Sequence, residues 1–335
     1  MNKIIDGDFA FIHMTDWYSL PDDYVIGEVA GVAVAPNGNV YAFNRGPHPI
    51  IIFDKDGEFI SSWGEGIFKS PHGITIGFDE RVYCVDEGDH TVRIYNLEGD
   101  LQLMLGTPGK AGAYHSGNPY NRPTDVALDP ITGDFYVSDG YGNSRVHKYS
   151  PDGKHILSWG KPGMDPGEFN IVHNIATDSN GLVYVNDRES HRVQIFDSNG
   201  KYQSEIRHVH RPCALYISPD DTIYVGELAA EMSVNKYIPN FGPRITVINK
   251  NGDKIARLGK TEPQNINAND FAAPHSISAD SEGNMYIGEV SHTFWKSTGR
   301  IPPPPPSFHK LVSICLLYTS PSPRDATLSR MPSSA

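Results

Sequence analysis

Apolar and polar residues alternate along this chain in short runs, and turn sequences rich in Asp, Asn and Gly punctuate the runs at close intervals. Period-two alternation over such short stretches predicts half-buried β-strands, and Asp/Asn-x-Gly at the run ends predicts tight antiparallel connections. No stretch carries a sustained 3.6-residue apolar period, so little helix is expected. The pattern also recurs. GVAVAPNGNVYAFNRG (Gly31 to Gly46), HGITIGFDERVYCVDEG (His72 to Gly88) and TDVALDPITGDFYVSDG (Thr124 to Gly140) each read as strand, turn, Val/Tyr-rich strand and a polar or acidic pair. HNIATDSNGLVYVNDRE (His173 to Glu189), CALYISPDDTIYVGEL (Cys213 to Leu228) and HSISADSEGNMYIGEV (His275 to Val290) repeat it. Third strands follow, such as TVRIYNLEG and RVQIFDSNG, and fourth strands end in Ser-Trp-Gly at Trp63 and Trp159.

Six units of roughly 40–60 residues, each with about four short strands, predict an all-β fold, a six-bladed β-propeller. The units start near Val29, Pro71, Pro123, Val172, Pro212 and Pro274, and the propeller is expected to span residues 1–314. A stacked β-solenoid is the competing architecture. The long loops Thr107 to Arg122, Glu227 to Arg244 and Lys260 to Ala273 suit one face of a closed ring, and closure removes the sheet edges that a stack exposes. The segment Phe9 to Tyr18 is expected to complete the last blade, Pro302 to Pro306 to form a polyproline loop, and Ser307 to Ile314 to add a final strand. From Cys315 the chain resembles a translated sequencing adapter, so Cys315 to Ala335 is expected to be an artefactual, disordered tail.

Composition narrows the partners. Net charge is −12, with 40 acidic against 28 basic residues, which argues against nucleic acid and anionic membranes. No apolar run approaches the ~20 residues of a membrane span. Acids interrupt the apolar residues of Met1 to Phe11, leaving no signal-peptide core. Cys84, Cys213 and Cys315 are odd in number and far apart, so no disulfide framework is expected. The expectation is a soluble, cytoplasmic monomer with a small-molecule or peptide substrate.

The residue that opens each unit carries the chemistry. In order these are Ala30, His72, Thr124, His173, Cys213 and His275. Histidine occupies the alternate units. In a propeller the first strand of each blade is innermost, so equal phase in alternate blades means a relation of about 120° around the channel. Three imidazoles so placed can hold one metal ion, and three histidines with an open fourth position are a catalytic zinc arrangement. A lone histidine at a strand start is more often a buried, hydrogen-bonded residue; three in phase in alternate blades are not explained that way. The remaining histidines, among them His13, His90, His147 and His191, show no such alternation and are expected mostly at the surface, with His48 an exception because it follows Arg45. The second strand returns to the face where the first began, which places Arg45, Glu87, Tyr141 and Arg188 around the metal. Arginine is a bidentate carboxylate binder. A tyrosine beside a metal and an arginine can serve as a base. The plainer reading of Asp139-Gly-Tyr-Gly-Asn and Asp187-Arg-Glu-Ser is turn geometry, and Asp86, Asp139 and Asp187 are assigned to the turns.

FNRG, PHG, SDGYGNSR, NDRE and PHS, in this order and in these blades, resemble peptidyl-α-hydroxyglycine α-amidating lyase and its bacterial relatives, which are propellers of NHL repeats. The resemblance covers about Val29 to Ile314. It implies cleavage of the C–N bond of an α-hydroxyglycine to an amide and glyoxylate. It also implies zinc on His72, His173 and His275, with Tyr141 as catalytic base and Arg45 and Arg188 as active-site arginines. The family's calcium carboxylate after the third histidine is Ser276 here, leaving the carbonyls of Val32 and Ile74, a poor set for an ion that takes six to eight oxygens. Ala273 replaces a methionine near the zinc, and Gly142 replaces a cysteine, so that disulfide is absent. Two other functions stay open on the same architecture: a metal-dependent, lactonase-like hydrolase, and a non-catalytic NHL propeller that binds a protein partner.

Overall fold

The computed structural model of the chain describes residues 2–232, 234–235, 238–259, 266–267, 269–300 and 303–314. Parts of the Lys260–Ala273 loop, Pro302 of the polyproline run and all of Cys315–Ala335 lie outside the described residues.

Six antiparallel sheets stand around a central channel as a six-bladed propeller. Blade one pairs Glu28–Val34, Val40–Arg45, Ile50–Phe53 and Phe59–Trp63 in sequence order. The innermost strands of the next five blades are Pro71–Ile76, Asp125–Leu128, Val172–Thr177, Pro212–Ile217 and Pro274–Ala279. Burial follows position in the blade. Val82–Asp86 and Val183–Asp187, second strands, are buried throughout, because blades cover both of their faces. Outer strands such as Phe59–Trp63 and Tyr202–Ile206 are only partly buried and carry exposed residues.

The sixth blade closes the ring with both ends of the chain. Phe308–Ser313 pairs on one side with Met285–Glu289 and on the other with the N-terminal strand Phe9–Met14, in the register His13 to Leu311. That strand stops at Met14, short of Tyr18, and a further edge strand Asn2–Asp6 pairs with it. The core is therefore not one mass but a set of apolar layers, one in each seam between neighbouring blades. Phe43, Ile50, Ile74 and Cys84 fill the seam between blades one and two, and Phe11, Ile245, Ile287 and Leu311 that between five and six. Among the described residues helix is confined to short connections: Gly140–Asn143, a 3-10 turn at Arg188–Ser190, and Ser291–Ser297. Among the described residues no helix is long and apolar enough to cross a membrane.

One device repeats in all six blades and sets the register of the channel. A polar side chain at the end of each second strand accepts a hydrogen bond from the backbone N–H three residues before the unit's opening residue. The pairs are Asn44 with Gly27, Asp86 with Lys69, Asp139 with Asn121, Asp187 with Asn170, Glu227 with His210 and Glu289 with Ala272, at 2.7–3.0 Å. These side chains are fully buried, and a buried carboxylate is tolerated only when it is hydrogen-bonded. The incoming loop is thus pinned at one fixed distance from the first strand. Residues of equal phase in the sequence therefore arrive at equal height in the channel.

Candidate metal centre

His72, His173 and His275 stand in a ring at one end of the channel, with imidazole centroids 4.6–4.8 Å apart. One nitrogen of each lies within 4.8 Å of its counterparts, close enough for one ion to sit between them. The same inter-blade bond orients each ring. Nδ1 of His72 donates to the Thr124 carbonyl at 2.7 Å, that of His173 to the Cys213 carbonyl at 3.0 Å, and that of His275 to the Ala30 carbonyl at 2.6 Å. Each acceptor is the opening residue of the next blade. A carbonyl can only accept, so Nδ1 carries the proton and Nε2 keeps its lone pair.

Burial also keeps the rings neutral. His275 is pushed down to about 3 by burial and then by Arg45. Burial, with the neighbouring histidines and Arg45, holds His72 well below the ordinary imidazole range, and burial with Arg188 does the same for His173. Three neutral imidazoles of fixed tautomer are the donor set a divalent ion of the zinc type requires. Three exposed imidazoles would gain protons between pH 7.5 and 5.5 and lose roughly a thousandfold in metal affinity. Here the depressed values leave the neutral form in place over that range. The expected change in affinity for zinc is under about tenfold, as measured by chelator competition at the two pH values.

Tyr141 rides on the helical turn Gly140–Asn143. Its hydroxyl lies 3.2 Å from Nε2 of both His72 and His173, and Arg188 Nη1 donates to it at 3.3 Å. The flanking glycines are a packing requirement. A Cβ at Gly140 would fall 1.6 Å from the Val172 carbonyl oxygen, and one at Gly142 2.2 Å from the Asn121 side chain. Asn143 donates to Asp139 at 2.6 Å and closes the turn. The turn therefore sets where the Tyr141 hydroxyl stands relative to the triad. Arg45 donates from Nε to the Pro71 carbonyl at 2.9 Å and from Nη1 to Glu28 at 3.0 Å; Glu28 is fixed in turn by Thr293.

Other expected positions come out differently. Glu87 accepts from Ser70 and from Arg122. His48 stacks on Tyr24 at 3.9 Å and bonds Glu65, away from the metal centre. His147 and His13 are buried rather than exposed: His147 bridges Asp139 and Ser158, and His13 bonds His309. Cys84 and Cys213 are free, buried thiols, and Cys315 lies outside the described residues. Arg122 and Glu28 were not visible as site residues. Arg122 precedes its strand instead of ending one, and Glu28 becomes a partner only through its cross-strand register with Arg45.

The calcium set that the resemblance implies is short of a carboxylate, with Ser276 at that position. Ser276 Oγ is hydrogen-bonded to the Val32 backbone, accepting its N–H at 3.0 Å. Val32, Ile74 and Ser276 line a channel cavity of about 210 Å³ whose lining holds a single carboxylate, Asp125. Burial pushes Asp125 up to about 7, and its oxygens are engaged by the Ile175 N–H and by Asn174.

Fold and site define a six-bladed propeller whose channel mouth can hold a metal ion on three inward histidines. The NHL repeat matches residues 120–149 and 169–196. The chain is 28% identical, over 88% of its length, to peptidyl-glycine α-amidating monooxygenase B of Xenopus laevis, of which it covers 36%. It is 30% identical, over 82% of its length, to human NHL repeat-containing protein 3, covering 80% of that protein. It is 28% identical, over 68% of its length, to peptidyl-α-hydroxyglycine α-amidating lyase 1 of Drosophila melanogaster, covering 44% of it. Virginiamycin B lyase of Staphylococcus aureus shares the fold, with a TM-score of 0.55 and 15% identity over 91% of this chain and 98% of that one. The chain spans about a third of the length of the amidating monooxygenases it matches. It belongs to the NHL-repeat family that includes the α-amidating lyases and NHL repeat-containing protein 3.

Proposed function

We propose that the chain is a zinc-dependent lyase that breaks the C–N bond of an α-hydroxyglycine-type substrate, giving an amide and glyoxylate. The observation that carries this reading is the Tyr141 hydroxyl, 3.2 Å from two of the three inward imidazole nitrogens and 3.3 Å from Arg188. A phenol so placed can exchange a proton with a hydroxyl held at the same point. The relatives named as α-amidating lyases support the class of reaction.

His72, His173 and His275 would hold the zinc, which when bound supplies Lewis-acid polarisation of the substrate oxygens. Tyr141, as its anion, takes the proton of the substrate hydroxyl. The carbon–oxygen double bond of glyoxylate forms as the C–N bond breaks, and the electron pair leaves with the amide nitrogen. Tyr141 then returns the proton to that nitrogen, so the step is redox-neutral and needs no co-reactant. Arg188 Nη1, donating to the phenol oxygen, stabilises its anion and fixes its position. Arg45 is anchored by Glu28 and the Pro71 carbonyl, and its remaining N–H groups orient the substrate carboxylate. Burial around the triad excludes bulk water and strengthens each of these contacts. The test is formation of glyoxylate and free amide in equal amounts from an N-acyl-α-hydroxyglycine, with a sugar lactone as the comparison substrate. Turnover of the lactone alone would instead mark a hydrolase, and turnover of neither would favour a binding propeller.

A further inference from the structure

A second arginine reaches the Tyr141 ring. Arg122, in the loop between blades two and three, holds its guanidinium carbon 4.6 Å from the Tyr141 ring centroid; Arg188 stands 5.4 Å from it. Arg122 Nε donates to Glu87 at 2.7 Å. Its backbone is committed as well: φ is +60°, its N–H donates to His90 Nδ1 at 3.1 Å, and its carbonyl accepts the Tyr141 N–H. A positive φ on a long side chain costs free energy and persists where the surroundings impose it.

The chain carries an internal control. Arg211, between blades four and five, repeats the arrangement: positive φ at 44°, N–H donated to His191 Nδ1 at 3.1 Å, and Nε donated to Glu189. The arrangement is thus a seam between blades, and by itself implies no ligand. The two copies differ at the tips. Arg211 spends its terminal nitrogens internally, on the Ala229 carbonyl, Glu189 and Glu231, and its side chain is 13% exposed. The side chain of Arg122 is 42% exposed, and among the described residues its terminal nitrogens make no hydrogen bond. The seam explains why the arginine is there; it does not explain why one copy leaves its planar fork open at the channel mouth, one tyrosine ring from the histidine triad.

We propose that Arg122 is a specificity-determining residue that binds a second anionic group, a carboxylate carried by the amide half of the substrate. The inference rests on the lyase reading and narrows it: Arg45 takes the carboxylate that leaves as glyoxylate, and Arg122 takes one on the other product. The substrate class is then an α-hydroxyglycine whose acyl group is itself acidic. A guanidinium fork is suited to this task because it meets a carboxylate through two parallel N–H groups.

The experiment compares N-succinyl- with N-butyryl-α-hydroxyglycine, which differ by a terminal carboxylate in place of a methyl. The zinc-loaded full chain is expected to favour the succinyl substrate by roughly tenfold in kcat/KM, the scale of one partly exposed charge-assisted contact. Arg122→Gln should bring the ratio near one, Arg122→Lys should retain part of it, and Arg211→Gln should retain all of it. An unchanged ratio in a folded Arg122→Gln protein overturns the assignment, as does a ratio near one in the wild type. If neither compound is cleaved, the lyase reading fails separately. Calorimetric binding of the unreactive N-succinylglycine and N-butyrylglycine to zinc-loaded protein then decides the matter. An Arg122-dependent preference for the diacid supports the assignment, and equal binding overturns it.

Discussion

His173→Ala is expected to abolish metal binding and turnover together while leaving the propeller folded. Zinc content should fall from one equivalent to near none, because two imidazoles do not replace three in a tetrahedral set. Turnover should fall at least about a thousandfold, the scale associated with loss of an electrostatic centre at the reacting atoms. The fold should survive for a specific reason. The Cys213 carbonyl loses the Nδ1–H of His173 but keeps the Asn186 side-chain donor at 3.1 Å, so this backbone acceptor is not left bare; the bond given up outright is the one to the Asn174 side-chain oxygen, at 2.7 Å. Metal analysis, a zinc-dependent rise in Tm and the far-ultraviolet dichroism separate the two effects. A variant that keeps a full equivalent of tightly bound zinc would show that the triad is not the metal centre.

Tyr141→Phe removes one oxygen and nothing else from the same site. The ring should stay where it is, packed by Arg122 and Arg188 and held by the Asp139–Asn143 turn. Zinc content should therefore be unchanged. Loss of a positioned acid–base group costs about 10²–10⁴-fold in rate, so kcat should fall by that amount, with a smaller change in KM because Arg45 still holds the carboxylate. Unimpaired turnover would remove Tyr141 from its role as base and pass the proton transfer to another group.

Much of this site was legible in the sequence for a physical reason. A propeller turns phase along the chain into height along the channel, and the six second-strand side chains from Asn44 to Glu289 enforce that conversion by pinning each incoming loop. Histidine in alternate units therefore had to converge. Tyr141 and Arg188 were legible by the same logic, since both follow the end of a second strand. What escaped depends on neighbours distant in sequence. The Arg122 side chain lies over Tyr141 only because two blades meet there, and Glu28 supports Arg45 only through the register of adjacent strands. Glu87 follows its second strand as Arg188 does, but its carboxylate is engaged by Arg122, a partner from the next loop. His13 and His147 read as surface residues because local alternation gives no sign that His13 meets His309 across the ring-closing strands or that His147 bridges Asp139 and Ser158 within its blade. The edge strand Asn2–Asp6 escaped for a related reason: with only its middle residue partly buried, it lacks the alternation that marks inner strands.

The central claim is that one zinc ion on three histidines turns this propeller into a carbon–nitrogen lyase. Its most direct test is to titrate zinc into metal-free protein while following glyoxylate release from an N-acyl-α-hydroxyglycine. The account predicts no release without metal, a linear rise to a plateau at one equivalent, and no response in His173→Ala. Glyoxylate release that is absent at every zinc level from a folded, metal-loaded protein, or undiminished in the metal-free protein, would contradict it.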